Sequence, residues 1–185
     1  MDDIVKAALT KWPNVPCCHG WLGLDARGNW YMRDDQAQAA GSFCALSVVP
    51  GRQAASKGSL LKHDKLIDFI QRNYECDAQG QWFFQNGPQR VYVELEATPM
   101  VWRIAPNFAV TAHTGLVGRV QRCVTDEHGR LYLETEAGFG LVHTLDMLHA
   151  ADAVEQGLWV PQSVLAHDLP ARFGYVRSPE ALQKI

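Results

Sequence analysis

The chain has 185 residues, of which 47% are hydrophobic and 20% are charged. This length and composition are typical of one globular domain or two small ones, and they exclude intrinsic disorder and a long apolar membrane span. The formal net charge is −3, and no cluster of Lys and Arg forms the basic stripe that nucleic-acid binding requires. We therefore expect a globular protein that binds neither nucleic acid nor a membrane.

The N-terminal segment does not resemble a signal peptide, because Asp2 and Asp3 stand where a basic region is needed. We therefore expect a cytoplasmic protein. Its five cysteines are then reduced, and their odd number fits no closed set of disulfides. The pattern predicts a short helix over 3–12 that ends before Pro13, and we treat residues 1–16 as an N-terminal helical segment.

The strongest pattern in the chain is a motif that occurs three times. The copies span 24–32, 76–84 and 125–133, and each has the order Asp-x-x-Gly-x-(Trp or Leu)-(Tyr or Phe). The Asp carboxylate can accept hydrogen bonds from the backbone two residues later, and the Gly supplies the positive φ that closes a turn. Each copy therefore predicts a turn that feeds a strand, centred on Asp25, Asp77 or Asp126. The alternative is that three common hairpin openings occur independently.

An insertion and a helix are predicted between the first two copies. Residues 36–57 are rich in Gln, Ala, Gly and Ser around an apolar centre at 43–49, which predicts an insertion whose middle docks on the domain. Apolar residues then recur at helical spacing over 63–72, and Asn73 can end this helix.

The second copy continues into a predicted hairpin. Its strands span 81–85 and 90–96 around a tight turn at 86–88, and another strand follows at 100–104. Alternate residues along 90–96 are apolar, which is typical of an antiparallel strand with one buried face.

The pattern changes near Pro106, where we place a domain boundary. Short strands around glycines follow, then a helix that Thr144 begins and Gly157 ends, edge strands at 159–161 and 173–176, and a terminal helical turn at 178–182. We therefore predict an α+β fold with two small domains of antiparallel hairpins and short helices. The first spans 17–105, including the insertion, and the second, richer in strands, spans 106–185.

Several of these segments together resemble a known family. They are Gly20-Trp21-Leu22-Gly23-Leu24-Asp25, Leu66-Ile67-Asp68-Phe69, the second motif copy, Val91-Tyr92-Val93-Glu94 and Thr98-Pro99-Met100-Val101. In this order they resemble a widespread bacterial family of unknown function that has two small α+β domains with repeated structural motifs. A role in intracellular signalling has been proposed for that family, and the resemblance implies such a role here. The resemblance spans 20–182 and supplies no catalytic residue.

The triplet Cys17-Cys18-His19 looks the most reactive group in the sequence. Zinc sites usually place two or more residues between cysteines, so that both sulfurs reach one ion. Adjacent side chains on a strand point apart, so His19 is poorly placed to activate Cys18. We therefore predict no catalytic residue, no metal and no cofactor, with a metal site at Cys17, Cys18 and His19 as the alternative.

A second polar group, His143, Asp146 and His149, is spaced three residues apart at the start of a predicted helix. On a helix the first and last of these side chains diverge by about 120°, so the three cannot face one ion. Helix capping or an exposed surface position is the interpretation that the spacing favours.

Two arginines and two tryptophans are the candidate ligand-binding residues. Arg90 and Arg103 flank the strands around the second motif copy, where Trp82 and Trp102 also lie. In a groove between the two domains, a guanidinium and an indole ring would bind an anionic or planar ligand. The other interpretation is that these arginines are surface residues at sheet edges.

Because no set of reactive groups is complete, the leading hypothesis is a non-enzymatic regulatory module that binds a small molecule or a protein in an interdomain cleft. One alternative is a small cysteine- or metal-dependent hydrolase. Another is a structural or assembly protein that pairs through its sheet edges, and a homo-oligomer is compatible with this composition.

Overall fold

A computed structural model of the chain describes residues 1–44 and 52–183, with residues 52–53 described as backbone only. Within the described residues, the chain divides into two units. The first unit comprises residues 1–25, 29–44, 52–97 and 175–183, and the second comprises residues 26–28 and 98–174. Each unit is built on one β-sheet with short helices, which confirms the predicted α+β class.

The helices of the described chain are short. They are α1 (Asp3–Lys11), α2 (Asp35–Ala40), α3 (Arg52–Lys57), α4 (Asp64–Arg72), α5 (Met147–Glu155), α6 (Leu169–Arg172) and α7 (Pro179–Gln183). The strands are β1 (Cys18–Leu24), β2 (Trp30–Met32), β3 (Ser59–Leu60), β4 (Tyr74–Cys76), β5 (Trp82–Asn86), β6 (Gln89–Leu95), β7 (Met100–Ile104), β8 (Val110–Ala112), β9 (Val117–Gly118), β10 (Val120–Thr125), β11 (Leu131–Thr135), β12 (Gly138–Val142) and β13 (Pro161–Ser163).

The sheet of the first unit has the strand order β3-β2-β1-β6-β5-β4. Its hairpins β1–β2, β4–β5 and β5–β6 are antiparallel, as predicted, but β1 and β6 pair in parallel and join them. Parallel neighbours need a long crossover, and the insertion with α4 supplies it. Both faces of β6 are covered, because Val91 lies on the side of α4 whereas Glu94 bonds to the segment that begins α7. The prediction of one solvent-facing side of this strand was wrong.

The predicted insertion forms α2 and α3, and part of it docks on the sheet. Phe43 is buried and packs against Gly23, where a Cβ atom would lie 2.5 Å from the Phe43 ring. Gly23 therefore leaves the space that the ring occupies. The rest of the predicted apolar centre, 45–49, lies outside the described residues.

The sheet of the second unit has the order β13-β10-β11-β12-β7-β8-β9. Arg119 alone links β9 to β10, although β9 is at one edge of the sheet and β10 is next to the other edge. A one-residue link cannot span five strand spacings of about 4.8 Å. The sheet therefore curves until β9 and the start of β10 are neighbours.

The two units differ from the two domains predicted at 17–105 and 106–185. Strand β7 belongs to the second unit, because it pairs with β12 and β8. The last residues belong to the first unit, where the Leu95 N–H donates to the Arg177 carbonyl and the Val176 N–H to the Gly80 carbonyl. The strand predicted at 173–176 is wrong, because these residues form a turn and irregular backbone.

The three motif copies form hairpin tips with the same hydrogen bonds. The N–H of Asp25, Asp77 and Asp126 donates to the carbonyl four residues later at 3.0–3.1 Å. The carboxylate of each Asp accepts the N–H of that same residue at 2.8–2.9 Å. The glycine between them has a φ of 74–84° in every copy, a conformation that favours glycine. The sequence repeat is therefore a structural repeat.

A tyrosine hydroxyl also donates to each of these carboxylates. In the first and third copies it belongs to the residue six positions after the Asp, Tyr31 at 3.4 Å and Tyr132 at 2.8 Å. The second copy has Phe83 at that position, and the hydroxyl comes instead from Tyr92, its cross-strand partner, at 3.0 Å. Cross-strand partners lie side by side on one face, so either strand can supply this donor.

Candidate functional site

A cavity of about 270 Å³ opens in the first unit between helix α4 and the sheet. We call it the apolar groove. Its lining consists of Cys18, Trp21, Leu22, Met32, Leu66, Phe69, Ile70, Phe84, Asn86 and Val91. The volume lies between the apolar cavities of about 150 Å³ that bind benzene and the sites of about 300–1,000 Å³ that hold drug-sized ligands.

The helical wall of the groove follows from the apolar pattern of α4. Leu66, Phe69 and Ile70 recur at i, i+3 and i+4 and so share one side of the helix. Ile70 is buried, and the Phe69 ring meets the Phe84 ring edge to face at 5.4 Å. His63 fixes the start of the helix, because its Nδ1 accepts the Leu66 N–H at 3.3 Å. The Phe69 side chain therefore brings α4 into contact with strand β5.

The sheet wall depends on an irregularity in β1. In a regular strand neighbouring side chains point to opposite faces, yet Trp21 and Leu22 both line the groove. The register between β1 and β6 shifts between Cys18 and Leu22, which accounts for this arrangement. The shift brings Trp21 to the side of the groove.

Two large apolar side chains remain half-exposed at the mouth of the groove. Trp21 is 42% exposed and Met32 is 44% exposed. Leu22, which follows Trp21 and is the cross-strand partner of Met32, is only 2% exposed. Exposed apolar side chains beside a cavity are typical of binding surfaces, because a ligand removes them from water.

The lining of the groove contains no Lys, Arg, His, Asp or Glu. Among its ten residues, Asn86 supplies an amide, Cys18 a thiol and Trp21 an indole N–H, and the other seven are apolar. A charged ligand group would lose its hydration here without gaining a counter-ion. The groove is therefore suited to an uncharged molecule with one polar end near Asn86.

On the other face of the sheet, Arg33 is fully buried and binds several segments together. Its guanidinium donates to the carbonyls of Ser56 at 2.8 Å, Gly20 at 2.9 Å and Gly41 at 2.7 Å. It also lies 3.4 Å from the Glu180 carboxylate. One side chain thus connects both ends of the insertion, β1 and α7.

Glu94 is the second buried charge on this face. Its carboxylate accepts the Ser178 hydroxyl at 2.5 Å and the Glu180 N–H at 3.0 Å, which satisfies the start of α7. Burial raises the pKa of Glu94, and the hydrogen bonds from Ser178 and Glu180 oppose this effect in part. We call Arg33, Glu94, Ser178 and Glu180 the Arg33 cluster. Its polar atoms hold α7 and the insertion in place.

Glu94 gives a testable pH dependence. Because its pKa is raised in the folded state, the folded chain binds the proton more tightly than the unfolded chain does. The stability that this group contributes should therefore fall as the pH rises from the unfolded pKa of about 4.3 through the raised folded value. The urea midpoint of Glu94→Gln should change less between about pH 4.5 and 7 than that of the wild type. An exposed control, Glu155→Gln, should keep the wild-type profile, and identical profiles for Glu94→Gln and wild type would contradict the assignment.

The structure places the predicted triplet Cys17-Cys18-His19 at the start of β1. Cys17 is exposed, Cys18 lines the apolar groove, and the His19 ring stacks on Tyr92 with centroids 4.6 Å apart. Burial lowers the pKa of His19. In the described part of the chain, no three His, Cys, Asp or Glu side chains are grouped closely enough to hold a metal ion.

Two other thiols are poor nucleophiles. Burial raises the pKa of Cys44 to about 12 and that of Cys123 to about 11. Both therefore stay protonated at neutral pH, where a reactive cysteine needs its thiolate. Cys44 donates to the Leu95 carbonyl at 3.0 Å.

His143 and Asp146 serve local structure. The Nδ1 of His143 accepts the Leu145 N–H at 3.1 Å and so caps the 3₁₀ helix Thr144–Asp146. Asp146 accepts the Ile104 N–H at 3.0 Å. These contacts agree with the capping role that the spacing favours.

The four candidate ligand-binding residues lie in different units. Arg90 and Trp82 belong to the first unit, where the Arg90 guanidinium lies 4.6 Å from the centroid of Phe83 and the Trp82 ring lies 4.8 Å from that of Tyr74. Arg90 is exposed. Its role toward a ligand stays a prediction.

Trp102 and Arg103 belong to the second unit, and both are already engaged. Trp102 is completely buried, with Nε1 donating to the Leu133 carbonyl at 3.0 Å, so it has no free face on which a ligand could stack. The prediction for Trp102 needs this correction. Arg103 donates to the Asp146 carboxylate at 2.5 and 3.1 Å.

Sequence reasoning missed the residues at the mouth of the groove. It identified the apolar face of α4 but not the gap beneath that face, which depends on the register shift in β1. Trp21 and Met32 carried no chemical motif that would mark them as ligand contacts.

In the described residues, no helix has both the length and the apolar character that crossing a membrane requires. Each of the two units is built on one β-sheet, and the first contains the apolar groove, so the chain is an α+β protein. A family model described as "Protein of unknown function (DUF2946)" matches residues 1–180. The chain belongs to this family.

Two solved structures are similar to the chain. One is a DUF1285 family protein from Silicibacter pomeroyi DSS-3, with 12% identity, a TM-score of 0.47, and coverage of 82% of this chain and 84% of that one. The other is a DUF1285 family protein from Shewanella baltica OS155, with 18% identity, a TM-score of 0.40, and coverage of 71% of this chain and 91% of that one. No curated protein matches the chain.

Proposed function

We propose that the protein is a non-enzymatic binding module whose apolar groove takes a small, uncharged and largely apolar molecule. The observation that carries this proposal is a cavity of about 270 Å³ with Trp21 and Met32 half-exposed at its mouth. Covering these side chains would release about 25 cal/mol for each Å² of apolar surface removed from water. A ring system of one or two rings, or a short alkyl chain, suits this volume.

The polar side chains support binding rather than reaction. The repeated Asp carboxylates accept backbone and tyrosine hydrogen bonds, and the Arg33 cluster holds α7 and the insertion. A hydrolase would need a nucleophile with an adjacent base, whereas the buried thiols are held in the protonated form. The repeated Asp carboxylates, the Arg33 cluster and the buried thiols therefore serve to stabilise the fold.

Assembly through sheet edges has less support. The edge strands β3, β4, β9 and β13 have two or three residues each. Such short edges offer few backbone groups to another chain, and proteins use them to prevent edge pairing. We therefore place the binding function in the groove.

A bacterial source and a regulatory role in signalling follow from the family resemblance and belong to this proposal. A cytoplasmic location is also part of it. Occupancy of the groove would change the apolar surface at Trp21 and Met32, which is a change that a partner protein can detect.

The test uses 2-naphthylmethanol, an uncharged two-ring alcohol, titrated into the full chain by calorimetry. We expect wild-type protein to bind it and Leu66→Trp to bind it at least about tenfold more weakly, because the larger ring fills the groove. The charged analogue 2-naphthoate should bind to the groove more weakly than the alcohol, because the lining supplies no cation.

A matched control is Ile4→Trp on α1, where the native side chain is 76% exposed and outside the groove lining. It adds the same ring to the same unit and should leave the affinity unchanged. Equal affinities of wild type and Leu66→Trp for the alcohol would overturn the proposal.

A further inference from the structure

The second unit has a concavity of about 400 Å³ beside the turn that joins β7 to β8. We call it the Phe108 concavity. Its lining consists of Phe108, Ala109, Val110, Val117, Gly118, Arg119, Val120, Leu158 and Trp159. It lies where the curved sheet brings β9 and the start of β10 together, at the single linking residue Arg119.

The backbone of Phe108 is strained. Its φ is +63°, the one positive value among the non-glycine residues in the described chain. A bulky aromatic residue rarely adopts this conformation, because its Cβ crowds the backbone. The turn nevertheless holds it there, with the Phe108 N–H donating to the Ala105 carbonyl at 2.8 Å and the Ala109 N–H donating to Asn107 Oδ1 at 3.2 Å.

A glycine would fit this position without strain, so the aromatic ring needs another reason to be there. Strained residues of this kind cluster at ligand sites, where the surrounding structure maintains the conformation. Phe108 is half-buried and its ring lines the concavity. The strain and the cavity are independent observations that indicate the same place.

The walls and the rim of the concavity have different chemistry. Val117 is 72% exposed and Leu158 is 56% exposed, so the walls present apolar surface to solvent. Arg119 adds an exposed guanidinium at the rim. Its backbone N–H donates to the Glu136 carboxylate at 3.0 Å, which fixes the link between β9 and β10. A ligand with an apolar body and one negative group matches both the apolar walls and the Arg119 guanidinium at the rim.

We infer that the Phe108 concavity binds an aromatic carboxylate, with the ring against Phe108 and Leu158 and the carboxylate toward Arg119. This ligand preference is the reverse of that of the apolar groove, whose lining has no cation. An arginine fits a carboxylate with two parallel hydrogen bonds, which gives geometric selectivity as well as attraction.

The test titrates 2-naphthoate and 2-naphthylmethanol into full-length Leu66→Trp protein, in which the apolar groove is filled. We expect 2-naphthoate to bind about fivefold more tightly than the alcohol, as one partly exposed ion pair allows. Arg119→Gln should remove this preference without changing the affinity for the alcohol. Arg172→Gln, at an exposed arginine of the same unit, should leave both affinities unchanged. Retention of the carboxylate preference in Arg119→Gln would overturn the inference.

A second variant, Phe108→Gly, separates a binding role from a folding role. It removes the ring and relieves the positive φ, so we expect an unchanged or higher melting temperature together with loss of 2-naphthoate binding. A clearly lower melting temperature would show that the ring serves folding, and retained binding would show that the ligand lies elsewhere. Either result would contradict the inference, and neither would affect the proposal for the apolar groove, which is tested by Leu66→Trp and Ile4→Trp.

Discussion

Replacing Arg33 by alanine should lower the free energy of unfolding of the first unit by about 4 kcal/mol, the largest effect that we expect from one substitution. Arg33 is fully buried and donates to the carbonyls of Gly20, Gly41 and Ser56. Its removal leaves these acceptors without their donor and leaves Glu180 without the facing charge. Urea denaturation followed by far-UV circular dichroism measures the loss.

Lysine should not rescue this position. The planar guanidinium reaches three separate carbonyls from one rigid group, whereas one ammonium cannot extend to all of them. We therefore expect Arg33→Lys to keep less than about half of the stability that Arg33 contributes. Arg72→Ala is the matched control, because Arg72 is exposed at the end of α4 and such a pair contributes little. A loss below about 1 kcal/mol in Arg33→Ala would contradict the account of this cluster.

Replacing Asp126 by alanine should lower the free energy of unfolding by about 3 kcal/mol. Its side chain is inaccessible to solvent and accepts the backbone N–H groups of His128 and Arg130, the Arg130 Nε–H at 2.7 Å and the Tyr132 hydroxyl at 2.8 Å. Alanine leaves these donors without their acceptor. Tyr132→Phe, which removes one of the bonds, should cost about 1 kcal/mol.

The effect of Asp126 should depend on pH. Burial raises the pKa of Asp126, but the hydrogen bonds from Arg130 and Tyr132 outweigh it and lower the pKa overall. The contribution is therefore complete above the unfolded value of about 3.9 and is lost as the pH falls through the lower folded value. The difference in urea midpoint between wild type and Asp126→Ala should shrink on acidification. A difference that stays constant to about pH 2 would contradict the role of the charged carboxylate.

Asp77 and Asp126 hold the same position in the second and third motif copies but differ in burial, so their contributions to stability can be compared within one chain. Asp77 is only half-buried, so Asp77→Ala should cost less than Asp126→Ala. If Asp77→Ala lowered the free energy of unfolding as much as Asp126→Ala or more, burial would not determine how much the hydrogen bonds of these carboxylates contribute.

The hairpin tips were the part of the fold that could be predicted best from the sequence. Asp, Gly and an aromatic residue at fixed spacing determine a turn through local hydrogen bonds and one positive φ, so neighbours in sequence suffice. The apolar spacing of α4 is local in the same way. The donor Tyr92 was not predictable from its own motif copy, because it comes from the next strand.

Features that depend on long-range packing could not be predicted from the sequence. Arg33 follows the first motif copy and is of a residue type that is usually exposed. Carbonyls from three separate segments nevertheless accept hydrogen bonds from its buried guanidinium. Trp21 and Trp102 both lie on strands, but one is half-exposed beside a cavity and the other is completely buried. The difference arises from strand register and sheet order, which no local pattern encodes.

The same limit applies to the candidate site. An apolar face on α4 predicts contact with the sheet, but a gap of ligand size depends on where Trp21 and Leu22 point after the register shift. The residues chosen for their chemistry, Cys17, Cys18 and His19, were prominent because of their residue types. Of these, Cys18 alone lines the groove, and it does so as a small apolar side chain.

A crystal structure of the protein soaked with 2-naphthylmethanol tests the binding account most directly. We expect the two rings to lie between α4 and β1, in contact with Trp21 and Leu66, with the hydroxyl toward Asn86. An empty groove at saturating alcohol, or rings bound only outside it, would contradict the claim that this surface is the binding site.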